Sequence, residues 1–276
     1  MTTPARLPAY YIPHGGGPCF FMDWPGEPHA WDGLAAWLRA LPASFGAKPK
    51  AILVISGHWE TDELALTGAA KPELIYDYYG FPEHTYQLKF PASGDPALAT
   101  RIAGLLGNAG LPAQVDPARG YDHGVFIPFL LITPQADIPV LQLSLQHSLD
   151  PALHLRIGRA LAPLRDEGVL IVGSGMSFHN LRSRGRMPGV PVAGTEEFDH
   201  WLTAAVESEP ARRDDLLTHW AQAPSARIAH PREEHLLPLM VVAGAAGEDP
   251  GARTFNDLAM GWRISGYRFG APANAA

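Results

Sequence analysis

The sequence predicts a single α/β domain with a central, mostly parallel sheet flanked by helices. Two observations predict it. Short apolar runs end abruptly in glycine-flanked polar signals, and segments with helical spacing alternate with those runs. Alternation of this kind is the pattern of a sheet covered on both faces.

The strands come first in the argument. Residues 9–13 form an apolar run that stops at His14-Gly15-Gly16-Gly17. Residues 51–56 are apolar, rich in β-branched side chains, and stop at Gly57-His58-Trp59-Glu60. Runs 138–145 and 168–172 repeat the pattern, the latter stopping at Gly173-Ser174-Gly175. Continuous apolar runs bounded by glycine fit strands buried on both faces, as in a parallel sheet.

The helices lie between and after them. Residues 29–41 place Trp31, Leu34, Leu38 and Leu41 on one helical face. Residues 96–109 follow Asp95 as N-cap, with Pro96 in the first turn. Asp150-Pro151 opens 151–165 in the same way, 196–206 reads as a helix, and Pro231 opens another over 231–244. The proline-rich stretch 184–194 reads as a surface loop and the last residues, from Ala271 on, as a frayed tail. No internal repeat or linker interrupts the chain, so one domain is expected, with an ordered core over about 8–270.

Composition narrows the function classes. Hydrophobic residues make up 46% and charged residues 18%, enough apolar material for a sizeable core. The net charge of −7 argues against nucleic acid or an anionic membrane as partner. Cys19 is the single cysteine, which excludes an internal disulfide and fits a reducing compartment. The N-terminal segment lacks the charged and apolar regions of a signal peptide, and no apolar run approaches a membrane span of ~18 residues. A cytoplasmic location is the expectation.

The 12 histidines carry the chemistry. His14 follows the first strand directly, His58 follows the second after one glycine, and His179 lies a few residues beyond the run that ends at Gly173-Ser174-Gly175. Ligands of open α/β sheets bind at the carboxyl ends of strands, so a metal site is expected there. His235 lies among Leu236, Leu237, Leu239 and Met240. An imidazole in such apolar surroundings needs a polar partner, and a metal supplies one. His123 sits in Tyr121-Asp122-His123-Gly124, where Tyr121 and Asp122 are candidate hydrogen-bond partners. His29, His200 and His219 fall in mixed-polarity helical stretches and are expected at the surface. His147 and His154 flank a helix start, where solvent-facing or capping roles are expected. His230 reads as structural, and His84 stands in an aromatic loop.

Six motifs, in order, point to one family. They are Pro13-His14-Gly15-Gly16-Gly17-Pro18, Ser56-Gly57-His58-Trp59-Glu60, Tyr76-Asp77-Tyr78-Tyr79-Gly80-Phe81-Pro82, Tyr121-Asp122-His123-Gly124, Gly173-Ser174-Gly175 through His179-Asn180-Leu181, and Glu234-His235-Leu236-Leu237-Pro238-Leu239. With them the chain resembles the class III extradiol ring-cleaving dioxygenases, in the DOPA-dioxygenase-type branch of the LigB-like superfamily. The resemblance implies that His14, His58 and His235 are metal ligands. It implies that His179 is a fourth ligand or an acid/base group, and that His123 is a second catalytic histidine. It also implies Fe(II) for activity, and a small, catechol-like aromatic substrate with O2 as partners. Both oxygen atoms would enter the product. Three departures stand near the expected pocket: Gly15-Gly16-Gly17-Pro18 where Gly-Ser-Pro is common, Phe126 where tryptophan is common, and Met176-Ser177-Phe178.

Two carboxylate questions stay open at this level. Histidine pairs with one carboxylate are a common iron set, and Glu234 adjoins His235. If both lay on a helix they would point ~100° apart, so only one would face the metal; the resemblance favours His235. Histidine-rich sites also take zinc, so Zn(II) is a plausible occupant of a purified sample. A zinc hydrolase on the same ligands and a non-catalytic, Memo-like binding protein are the alternatives.

Overall fold

The computed structural model describes residues 6–183 and 187–271. Eight strands form one sheet: β1 (Ala9–Pro13), β2 (Ala51–Thr61), β3 (Leu64–Thr67), β4 (Ala113–Asp116), β5 (Val140–Gln146), β6 (Val169–Gly175), β7 (Gly251–Ala259) and β8 (Trp262–Phe269). Their spatial order is β4-β3-β5-β2-β6-β1-β8-β7. The four central strands β5, β2, β6 and β1 are parallel to one another. The edges are antiparallel to them, through β3 against β5 and β8 against β1.

The helices are α1 (Asp32–Ala40), α2 (Pro96–Asn108), α3 (His123–Ile132), α4 (Pro151–Leu161), α5 (Pro163–Asp166), α6 (Thr195–Val206), α7 (Pro210–Thr218), α8 (Ala226–Ala229) and α9 (Leu237–Ala246). Among the described residues, no helix is long and apolar enough to cross a membrane. Asp95 caps α2 by accepting from Leu98 N at 2.9 Å, and Asp150 caps α4 by accepting from Ala152 N at 3.0 Å. Both caps were legible from the Asp-Pro pairs.

Side-chain alternation along β2 and β6 places α3 and α9 on opposite faces. Ser56 and Ser174 point toward α3, where Ser56 Oγ donates to Asp122 at 2.8 Å and Ser174 Oγ donates to the Gly124 carbonyl. Gly57, Gly173 and Gly175 point the other way, against the backbone of residues 234–238 at the start of α9. Both helices therefore bring their N-terminal ends to the carboxyl ends of β2, β6 and β1.

Several boundaries differ from the sequence expectation. Strand β2 runs on through His58 to Thr61, so His58 lies within the strand rather than beyond it, where the pairing with β5 shifts register. Helix α9 starts at Leu237, with Pro238 in its first turn, and His235 lies in the turn before it. Pro231 opens no helix. The stretch 151–165 divides into α4 and α5 because Pro163 cannot donate to a continuing ladder. His154 is fully buried, not solvent-facing: its Nδ1 faces the Asp150 carbonyl at 2.7 Å and its Nε2 accepts from Gln146 N. His29, His147, His200 and His219 are exposed, and His230 is buried against the Ser177 carbonyl at 3.0 Å. The loop expectation holds over residues 187–194, which are irregular and largely exposed; residues 184–186 and 272–276 lie outside the described residues.

The caps give a control for everything below. Asp95→Ala should destabilise the fold by about 1 kcal/mol, read as a lower urea midpoint, and leave metal content and turnover unchanged.

Candidate active site and metal centre

The site is built on the carboxyl ends of three neighbouring strands. His14 follows β1 directly, and its backbone N–H donates to Gly175 O at 3.0 Å, which ties it to β6. His58 comes from the extension of β2. His235 comes from the turn before α9, where its carbonyl accepts from Tyr11 Oη at 2.7 Å and from Met176 N at 3.1 Å. No side chain fits between that turn and the sheet: a Cβ on Gly57 would lie 3.0 Å from Glu234 O, and one on Gly175 would overlap the His235 carbonyl. This close approach explains the glycines beside the strand ends.

The three rings converge. His58 Nε2 lies 3.2 Å from His14 Nε2 and 3.2 Å from His235 Nε2. Two nitrogens bound at ~2.1 Å to one ion, at 90–110° to each other, stand ~3.0–3.4 Å apart, so the spacing fits a metal ion. The tautomers fit as well. Ser174 Oγ gives its only proton to Gly124 O, so it accepts from His14 Nδ1 at 3.1 Å. His235 Nδ1 faces the Glu234 carboxylate at 3.0 Å and donates to it. Both Nε2 atoms therefore present lone pairs to the point where the three rings meet. Among the described residues, His14, His58 and His235 form a group able to hold a metal.

Burial keeps these rings neutral. It holds His14 and His58 well below the ordinary imidazole range, with their neighbouring histidines adding to the effect, and brings His235 down to about 3. Neutral imidazole is the form that binds metal.

Two carboxylates stand behind the rings, each shared by a pair of histidines. Asp77 Oδ1 accepts from His123 Nδ1 at 2.7 Å and from His123 N at 2.9 Å, while Asp77 Oδ2 lies 3.7 Å from His58 Nδ1. Glu234 Oε1 accepts from His235 Nδ1 and lies 3.5 Å from His179 Nδ1. Burial opposes ionisation of both, but the hydrogen bonds from their histidines outweigh it. Asp77 is held below the usual carboxylate range and Glu234 well below it.

His123 is the first residue of α3, and its ring lies 3.9 Å from that of His58. His179 stays outside the group of three: its ring stacks on His235 at 3.5 Å, with an interplanar angle of 20°. The segment carrying it is tied to residues 228–230 by His179 N to Ala229 O at 3.0 Å, Asn180 Nδ2 to Ile228 O at 2.7 Å and His230 Nε2 to Ser177 O.

Sequence reasoning missed Asp77 as a site residue although it lies inside a quoted motif. It left Glu234 as a rival ligand, whereas the structure turns that carboxylate to the far side of the ring. It also gave no weight to Glu60. That residue meets Arg232 in a two-point ion pair, 2.5 Å at each contact, joining the β2 extension to the turn that carries His235. Asp122, buried beneath α3, bonds Ser56 and Gln142, and burial raises its carboxyl.

The rings open into a cavity of about 290 Å³, walled by Trp24, Tyr78 and Phe81 with Tyr79 and Leu181 at its edge. Of the departures noted in the sequence, only the glycines after His14 line it. Phe126 sits behind Tyr78, its ring centre 6.3 Å away, and Met176 and Phe178 are buried elsewhere.

An α/β sheet with a cluster of neutral histidines at its strand ends defines a metal-site protein; comparison with known proteins gives its class. The family model described as the catalytic LigB subunit of aromatic ring-opening dioxygenase matches residues 8–267. The 4,5-DOPA dioxygenase extradiol of Beta vulgaris is 45% identical over 243 residues, covering 86% of this chain and 87% of its own. Dioxygenase tasH of Hapsidospora irregularis is 41% identical over 279 residues, covering 95% and 85%. The crystal structure of an uncharacterized protein from Escherichia coli K12 superposes with a TM-score of 0.78 at 29% identity, covering 96% of this chain and 100% of that one. The chain belongs to the LigB family and is an extradiol ring-opening dioxygenase, an oxidoreductase.

Two predictions follow from this geometry. Gly175→Ala should displace the His235 turn and weaken metal binding at least tenfold in a chelator competition, with Asp95→Ala as the unaffected control. The second concerns pH. Below about pH 6.5 an unfolded chain protonates its imidazoles, while the folded metal-free protein resists doing so at His14, His58 and His235. Stability of the metal-free protein should therefore fall as the pH drops through 6.5 and keep falling toward the pH of about 3 where His235 itself protonates. Urea midpoints between pH 7.5 and 5 should drop less in His14→Asn/His235→Asn than in the wild type; equal slopes would contradict the assignment.

Proposed function

We propose that the chain opens the ring of a catechol-type substrate with O2 at one Fe(II) held by His14, His58 and His235, with His123 and His179 handling protons. The observation that carries this reading is the meeting of three neutral Nε2 atoms at 3.2 Å spacing on the floor of an aromatic-walled cavity. Bound iron would supply the redox coupling between an aromatic diol and dioxygen. Zinc fits the same nitrogens but carries no redox chemistry.

The chain's own residues do the rest. Asp77 and Glu234 place two negative charges behind neutral rings, so a divalent cation is balanced without a carboxylate ligand. Asp77 fixes Nδ1 of His123 as the donor, which leaves Nε2 free to accept a proton from a substrate hydroxyl. The same carboxylate stabilises the imidazolium that forms. Glu234 offers His179 a similar partner at 3.5 Å. His179 is thus an acid/base group beside the metal rather than a fourth ligand. Trp24, Tyr78 and Phe81 exclude water from the ring. Both atoms of O2 enter the product, so no external reductant is required.

Anaerobic reconstitution with Fe(II), followed by oxygen uptake with a panel of catechols, tests the activity. Consumption of O2 with a yellow ring-opened product is expected. Oxygen-independent hydrolysis under zinc would favour a hydrolase, and no turnover of any catechol or aminophenol would favour a binding protein. Alanine at His14, His58 or His235 should abolish metal retention. His123→Ala and His179→Ala should keep the metal and lower kcat by roughly 10²–10⁴-fold. Loss of metal with full turnover in His179→Ala would overturn its role.

A further inference from the structure

The cavity's floor and mouth differ in kind. On the floor, His14 is 1% exposed, Tyr78 6% and Trp24 8%. At the mouth, Tyr79 is 91% exposed and Leu181 57%. Few large hydrophobic side chains of the described residues are left in water, and these two line the same cavity. They come from separate segments, one beside Asp77 and one beyond His179. No lysine, arginine, aspartate or glutamate lines the cavity among the described residues.

An apolar side chain in water gains burial only when something covers it. The volume, about 290 Å³, stands at the lower end of ligand pockets, so one aromatic ring with a short substituent fills it. A ring held over the histidines would send a substituent outward past Tyr79 and Leu181. With no charge in the lining, that substituent is read by its hydrocarbon.

Resting on the catechol reading above, we propose that Tyr79 and Leu181 are the specificity-determining residues of the site. They clasp an apolar arm on the catechol ring and bury their own exposed surface against it. Neither touches the reacting carbons, so they set KM for armed catechols and leave the turnover of a bare ring alone.

The test compares kcat/KM for two uncharged probes, catechol and 4-butylcatechol, on the iron-loaded enzyme. The wild type should prefer 4-butylcatechol by about tenfold, as expected from ~50 Å² of apolar contact. Tyr79→Ser and Leu181→Ser should each lower that preference by roughly threefold through KM, leave catechol unchanged, and together remove it. Tyr79→Phe should retain the preference, because its ring and not its hydroxyl makes the contact. Turnover of both probes with an unmoved preference, or an equal loss on both, would overturn the clasp alone. Failure of the wild type to turn over either probe would overturn the catechol reading and the clasp with it.

Discussion

Three imidazole lone pairs are aimed at one point because each ring is held from behind. Ser174 takes the Nδ1 proton of His14, Glu234 takes that of His235, and Asp77 stands behind His58. Like lone pairs 3.2 Å apart repel, so the arrangement persists only because the backbone imposes it. The sheet does this through alternation. Serines on one face of β2 and β6 bind α3 and orient His14. Glycines on the other face admit the His235 turn to within backbone contact. A side chain at Gly175 or a one-residue slip in β6 would separate the rings.

The two shared carboxylates give the site its electrostatic character. Each joins a ring of the convergent group to a ring outside it: Asp77 joins His58 to His123, and Glu234 joins His235 to His179. A cation in the centre and a proton on an outer ring are thus balanced by the same charge. The outer rings, His123 and His179, both line the cavity, where a substrate would meet them. The Glu60–Arg232 pair fastens the two segments on the outside, where solvent limits its strength.

Much of this was legible in the sequence, and the exceptions share a cause. Central strands showed as apolar runs because burial on both faces removes alternation. The edge strands β3, β4, β7 and β8 are shorter or mixed in polarity and gave no such signal. Helix α3 hid because its buried stretch, from His123 to Ile132, is apolar all round and has no helical period. The histidines stood out by position and by motif. Their carboxylate partners did not, because Asp77 comes from a loop between elements and its role depends on where that loop returns. The start of α9 was placed too early because Pro231 looked like a first-turn proline, while the second one, Pro238, holds that position.

The account stands or falls on whether His14, His58 and His235 together hold one ion. X-ray absorption on the Fe(II)-loaded protein counts imidazoles directly. The prediction is one iron per chain with three imidazole nitrogens at about 2.0–2.2 Å, falling to two in His58→Ala if any metal is retained. An iron bound chiefly by carboxylate oxygens, or a spectrum unchanged by loss of His58, would contradict it.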